Sequence, residues 1–141
     1  MEIQNSLGFI LNTSAKLMKR RLDTELKAGF DITSSQWAVL KLLSREEDLS
    51  QAEISDKLNA DRATCGAVIE KLMSKGFVTK TLSKDDRRSY KVKISPKALA
   101  ILEKMAQKAD EVNDLAIQGL TSDELKIFIK CLHTITGNFV K

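Results

Sequence analysis

Apolar residues at the start of the chain, Ile3, Leu7, Ile10, Leu11, Met18, Leu22 and Leu26, recur mainly at steps of three, four and seven. That spacing puts them on one stripe of a long helix from about residue 2 to residue 27. Such a helix extends about 40 Å at about 1.5 Å per residue, farther than a small core is wide, so part of its stripe is expected to meet a second chain. Gly29 is the expected stop, the role glycine takes just past a helix C-terminus. Thr33 and Gln36 then fit a capping box ahead of a helix whose face is Trp37, Val39, Leu40 and Leu43. Residues 45–48 read as a polar turn. Ser50 and Glu53 form a second capping box, opening a short helix through Ile54 and Leu58. After a turn at Asn59 and Ala60, Asp61 caps a helix that runs to about Ser74 and stops at Gly76.

The period then changes. Residues 77–82 and 90–94 read as strands, the second alternating apolar and charged residues strictly, with a polar hairpin loop over residues 83–89. Ser95 as cap and Pro96 in the first turn restart a helix, which runs to about residue 118 through Leu99, Leu102, Ala106, Ala109, Val112 and Ala116. Gly119 ends it. A third capping box, Thr121 with Glu124, opens a last helix carrying Leu125, Phe128, Ile129, Leu132, Ile135 and Phe139. The fold class is therefore mainly α with a small β-wing, in one domain over residues 1–141. A winged helix-turn-helix over residues 33–95 is flanked by long terminal helices over residues 1–32 and 96–141.

Charge is not spread evenly along this framework. Residues 50–94 hold ten basic and six acidic side chains, while the rest of the chain balances at thirteen of each. The whole net charge of +4 thus sits in the helix-turn-helix and wing. A basic patch on an otherwise balanced protein is the electrostatic footprint of nucleic-acid binding, with a solvated lysine-rich face as the plainer alternative. No stretch is apolar enough for a membrane span and the first residues lack signal-peptide order, so a cytoplasmic location is expected. Cys65 and Cys131 are too few and too far apart for a disulfide framework or a zinc site, and His133 is the single histidine. No phosphate loop, nucleophile elbow or Cys/His pair is present, so neither an enzyme nor a cofactor is expected.

A short helix, a tight turn, a second helix and a basic hairpin are the parts of a DNA-reading module. The second helix enters the major groove with its N-terminal residues at base edges, and an arginine-tipped hairpin reaches a neighbouring minor groove. At Asp61-Arg62-Ala63-Thr64, at the exit Leu72-Met73-Ser74-Lys75-Gly76-Phe77-Val78, and above all at Asp86-Arg87-Arg88, the chain resembles the multiple-antibiotic-resistance regulator (MarR) family. The resemblance implies an obligate homodimer whose first and last helices interlock, through Ile3, Leu7, Ile10, Leu125, Phe128, Leu132, Ile135 and Phe139. It also implies two half-sites of a pseudo-palindrome in double-stranded DNA. It further implies a repressor released by a small aromatic or phenolic effector or by cysteine oxidation.

On this reading Arg88 is the minor-groove probe, oriented by Asp86, and Lys84, Arg87, Lys80, Lys91 and Lys93 are candidate phosphate contacts. The recognition helix buries Cys65, Val68, Ile69, Leu72 and Met73 and presents Arg62, Ala63, Thr64, Gly66, Ala67, Glu70 and Lys71. Ser50 and Gln51 open the supporting helix, where N-capping and phosphate contact are both open. Gly66 and Ala67 stand where family members often carry larger polar residues, which shifts weight towards the wing and DNA shape. That departure motivates the alternative of a winged-helix dimer acting by non-specific DNA or protein contacts. Gly66 also costs about 1 kcal/mol of helix stability relative to alanine, which a close approach of its backbone to DNA would rationalise. Cys65 lies on the apolar stripe and Cys131 beside Leu132, so both are expected to be packed thiols rather than oxidant sensors. Trp37 reads as core, or as the wall of a ligand pocket, since aromatic rings stack on aromatic effectors.

Overall fold

The first apolar stripe forms helix α1, Leu7–Phe30, preceded by a 3-10 turn at Ile3–Asn5, in the computed structural model of the chain, which describes residues 1–83 and 90–140. Gly29 lies inside α1 and does not end it. The helix stops at Asp31, which adopts the left-handed region at φ 55°, a conformation aspartate tolerates better than most residues. The additional turn delivers Ile32, 1% exposed, into the core. Asp23 of α1 accepts a 2.7 Å hydrogen bond from the Ser34 backbone N–H, at the start of helix α2, Ser34–Arg45. Burial alone would raise the Asp23 carboxyl, but hydrogen bonds from Ser34 and the Lys19 ammonium together hold it below its ordinary value.

All three capping boxes close reciprocally, at Thr33 with Gln36, Ser50 with Glu53, and Thr121 with Glu124. They fix the starts of α2, of α3 (Gln51–Lys57) and of α6 (Ser122–Phe139). Between α2 and α3 lies a strand that the polar-turn reading did not include, β1, Leu49–Ser50. Two residues are too few to leave a periodic signature. Helix α4, Arg62–Ser74, leads into β2, Val78–Leu82, and β3, Tyr90–Ile94. The three strands form an antiparallel sheet in the order β1-β3-β2, with Leu49 opposite Val92 and Val78 opposite Ile94. Leu49, Val78 and Val92 are buried, so the base of the wing belongs to the core.

Helix α5, Pro96–Ala116, closes the core against α1 and α2. Its buried face is Ala98, Leu102, Met105, Ala109 and Val112. The expected stripe is therefore shifted by one position at two places. Leu99 is half exposed and Met105, not Ala106, fills the interior. Both stripes keep helical spacing, and contact with α1 and α2 decides between them. Helix α6 buries none of its residues within the chain, although Ile127, Phe128, Ile129 and Phe139 lie along it.

Candidate nucleic-acid interface

Helix α4 starts at Asp61, whose carboxylate accepts from both the backbone N–H and the hydroxyl of Thr64, each at 2.7 Å. Those hydrogen bonds, the backbone one foremost, hold the Asp61 carboxyl below its ordinary value. The cap thus engages the hydroxyl of Thr64, one of the expected DNA contacts. Cys65, Ile69 and Leu72 are buried as the spacing requires, with Val68 and Met73 packed beside them. Arg62, Ala63, Thr64, Ala67, Glu70 and Lys71 are exposed, and Gly66 is half-buried. The helix therefore offers solvent one face with two small positions at its middle. Arg62 is paired with Asp56 at 3.3 Å, both ends largely exposed, while the Lys71 ammonium has no partner among the described residues.

Gly66 has an intramolecular reason to lack a side chain. A Cβ built there would lie 2.9 Å from Nε2 of Gln51, so the Gln51 side chain occupies the space a larger residue would need. The Gln51 backbone carbonyl accepts from the Ser55 hydroxyl at 3.0 Å and faces the Cys65 thiol at 4.0 Å, which seats the start of α3 on α4. Ser50 is engaged as a cap. Its hydroxyl accepts from the Glu53 N–H at 3.1 Å, and the Glu53 carboxylate accepts from the Ser50 N–H at 3.1 Å. That return bond, foremost, holds the Glu53 carboxyl low.

The wing strands carry Lys80, Lys91 and Lys93, and each has an acidic partner on the body of the module. Lys80 pairs with Glu70 of α4 at 3.4 Å, Lys91 with Glu53 of α3 at 3.4 Å, and Lys93 with Asp48 at 3.9 Å. Sequence reasoning placed Glu53 in a capping box and Glu70 on the exposed face of α4 but paired none of these acids with a lysine, because partners 10 to 45 positions away leave no local pattern. The ion pairs fasten the wing to both helices and set its lysines beside carboxylates before any phosphate arrives. The tip residues Lys84, Asp86, Arg87 and Arg88 lie outside the described residues.

The exit of α4 is bound on several sides. Gly76 takes φ 74°, its carbonyl accepts from the Ser95 hydroxyl at 2.8 Å, and the Ser95 N–H donates to the Phe77 carbonyl at 2.9 Å. Lys97 donates to the Lys75 carbonyl at 3.0 Å and lies 5.2 Å from the centre of the Phe77 ring. Lys75 in turn donates to the Asp31 carbonyl.

Trp37 is half-buried against the core, and its indole N–H is enclosed without a hydrogen-bond partner among the described residues. It borders neither of two small clefts. One, of about 200 Å³, lies between Leu43, Glu47, Asp48, Val92, Lys93 and Leu99. The other, of about 120 Å³, lies between Ser35, Ala38, Leu58, Thr64, Cys65 and Val68. Cys65 is buried as expected, whereas Cys131 is exposed in the single chain and not packed. Among the described residues no group of three or more histidine, cysteine or acidic side chains could hold a metal, and no helix is long and apolar enough to cross a membrane.

The MarR family model matches residues 32–90, from the approach to α2 to the start of β3. Among solved structures, the chain is similar to a probable transcriptional regulator from Pseudomonas aeruginosa. The two share 26% identity over 95% of this chain and 99% of that one, with a TM-score of 0.88. A mutant MarR from E. coli complexed with operator DNA matches at 24% identity and TM-score 0.86, over 96% and 99% of the two chains. BpsR of Bordetella bronchiseptica, in a structure on the regulation of its DNA binding by 6-hydroxynicotinic acid, matches at 20% identity and TM-score 0.89, over 96% of each chain. At 24% and 20% identity the likeness is one of fold.

Proposed function

We propose that this chain is a DNA-binding transcriptional regulator of the MarR family, that it reads a pseudo-palindromic operator as a homodimer, represses from it, and leaves it on binding a small aromatic or phenolic effector. The observation that carries the DNA reading is the exposed face of α4 beside a sheet that holds three lysines on the same module. A helix so presented fits the major groove, and the hairpin beside it continues along the backbone. In this reading Arg62, Ala63, Thr64, Gly66, Ala67 and Lys71 face the groove, Ser50 and Gln51 lie at the edge of the contact, and Lys84, Asp86, Arg87 and Arg88 form the wing's contact.

The dimer follows from what one chain leaves uncovered. Ile3, Leu7, Phe9 and Ile10 at one end and Phe128, Ile129 and Phe139 at the other are all at least 42% exposed. Soluble monomers rarely carry apolar surface of that continuity. Leu125, Leu132 and Ile135 lie half-buried on the same helix as Phe128 and complete the surface. The Trp37 indole N–H supports the effector reading, because an enclosed donor needs an acceptor and the described residues supply none. BpsR, of the same fold, has its DNA binding regulated by 6-hydroxynicotinic acid, an aromatic acid of the class proposed.

The test is competition binding. A self-palindromic site enriched from a random pool should outcompete random duplex by about a thousandfold or more at physiological salt. Equal competition would favour a winged-helix dimer acting by non-specific DNA or protein contacts. Of the two positions that motivated that alternative, Gly66 is matched by the Gln51 side chain, while Ala67 stays exposed.

A further inference from the structure

We propose that Gln51, a residue of the supporting helix α3, supplies the base-reading carboxamide that the recognition helix lacks, and that Gly66 is the notch that lets it through. The inference rests on the DNA-reading function above. Three observations carry it. The Gln51 side chain lies across α4 at Gly66, so close that a Cβ would stand 2.9 Å from Nε2 and 3.8 Å from Cδ. Gly66 adjoins the exposed positions Arg62, Ala63 and Ala67 in the first half of α4, the part of a recognition helix that meets base edges. The carboxamide has no hydrogen-bond partner among the described residues, although the Gln51 backbone carbonyl is engaged twice.

A glutamine held this way is placed by packing while its donors and acceptor have no partner among the described residues. That combination suits a base edge. The carboxamide N–H donates to N7 of adenine and its oxygen accepts from the N6 amino group, a two-bond pairing that distinguishes adenine from the other bases in the major groove. A phosphate would use only the donor half. The small side chains of Ala63 and Ala67 are consistent with the same design. They keep the helix face low, so that a side chain from the neighbouring helix can reach the floor of the groove.

The experiment is enrichment of bound sites from a random DNA pool by the full-length chain, in parallel with Gln51→Ala, Gln51→Glu and Gly66→Ala. The wild type should select adenine at one position in each half-site. Gln51→Ala should lose that selection by about tenfold or more, with other positions unchanged. Gln51→Glu should move it towards cytosine, whose N4 amino group donates to a carboxylate. Gly66→Ala, which keeps Gln51 but pushes its amide aside, should lose the adenine preference while thermal stability stays equal or rises. A consensus that is the same in wild type and Gln51→Ala overturns the inference, whatever happens to affinity. So does an unchanged consensus in Gly66→Ala. A wild-type pool with no consensus at all overturns the sequence-reading function, and this inference with it.

Discussion

Glu70 sits on the exposed face of the recognition helix, where a carboxylate would oppose the DNA backbone, and its partner Lys80 is 3.4 Å away on β2. The Lys80 side chain is 26% exposed and the Glu70 side chain 67%. So open a pair adds at most about 1 kcal/mol to folding, and Glu70→Gln should leave stability nearly unchanged. Its effect on DNA binding is larger, because it frees one ammonium to neutralise a phosphate. Each such contact steepens the dependence of log affinity on log salt by about 0.9. Extrapolated from about 1 M salt, one added contact strengthens binding about fivefold at about 0.15 M and about fifteenfold at about 0.05 M. The gain should be the same on any sequence. Fluorescence anisotropy titrations of a random-sequence duplex at several salt concentrations measure both quantities. Lys80→Ala added to Glu70→Gln should return the slope to that of the wild type or below. An unchanged slope in Glu70→Gln would refute the reasoning, since Lys80 would then not be held back from phosphate by its carboxylate.

The wing tip gives a second expectation. Arg88→Ala should weaken binding to the selected site by about 1–3 kcal/mol and relax preference outside the major-groove half-site, with Asp86→Ala alike. Lys93→Ala, tied to Asp48, should weaken all sequences equally and lower the salt slope by at most about one unit; stronger binding by Asp86→Ala would make that aspartate plain loop surface. The wild type should sediment as a dimer at micromolar concentration, and Phe128→Asp should yield monomer or aggregate. A monomeric wild type would count against the reading of α1 and α6. Ser95→Ala removes both the α5 cap and the bond to the Gly76 carbonyl, so urea unfolding should register a loss of about 1–2 kcal/mol. Finally, Asp23, Glu53 and Asp61 titrate below their ordinary values of 3.8, 4.5 and 3.8 in the folded chain. Their stabilisation is present above the unfolded values and is lost as pH falls through the folded ones, so urea midpoints should begin to drop below about pH 4.5. An Asp23→Asn chain should be less stable than wild type at pH 7 and lose that deficit towards pH 3.

Local grammar carried most of the fold. The capping boxes, the Ser95–Pro96 start and the alternation at Tyr90–Ile94 depend on residues within a few positions of one another, and all fall where the sequence puts them. What escaped was set by distance. The end of α1 depends on where Ile32 must turn into the core rather than on the nearest glycine, and the face of α5 depends on α1 and α2. β1 exists only through its pairing with β3. In the site, the exposed and buried faces of α4 were readable from period alone. The lysine–acid pairs and the fit of Gln51 to Gly66 were not, because α3, α4 and the wing meet only after folding. Cys131 lies exposed because α6 buries none of its residues within the single chain, which its own periodicity does not reveal.

The ties around the end of α4 make the recognition helix a rigid lever. The carbonyls of Lys75 and Gly76, just past its end, are held by Lys97 and Ser95 at the root of α5, while Lys75 reaches Asp31 between α1 and α2. Little slack remains there to absorb movement. In a dimer with half-sites about 34 Å apart, each recognition helix stands about 17 Å from the two-fold axis. Turning α1 and α5 by about 10° would then carry each recognition helix about 3 Å, a large part of the spacing between successive base pairs. On the proposed reading, an effector that turned the long helices would not need to touch the DNA face to disengage it. In such a dimer a small change of angle between the long helices would be geared directly into the distance between the two reading heads.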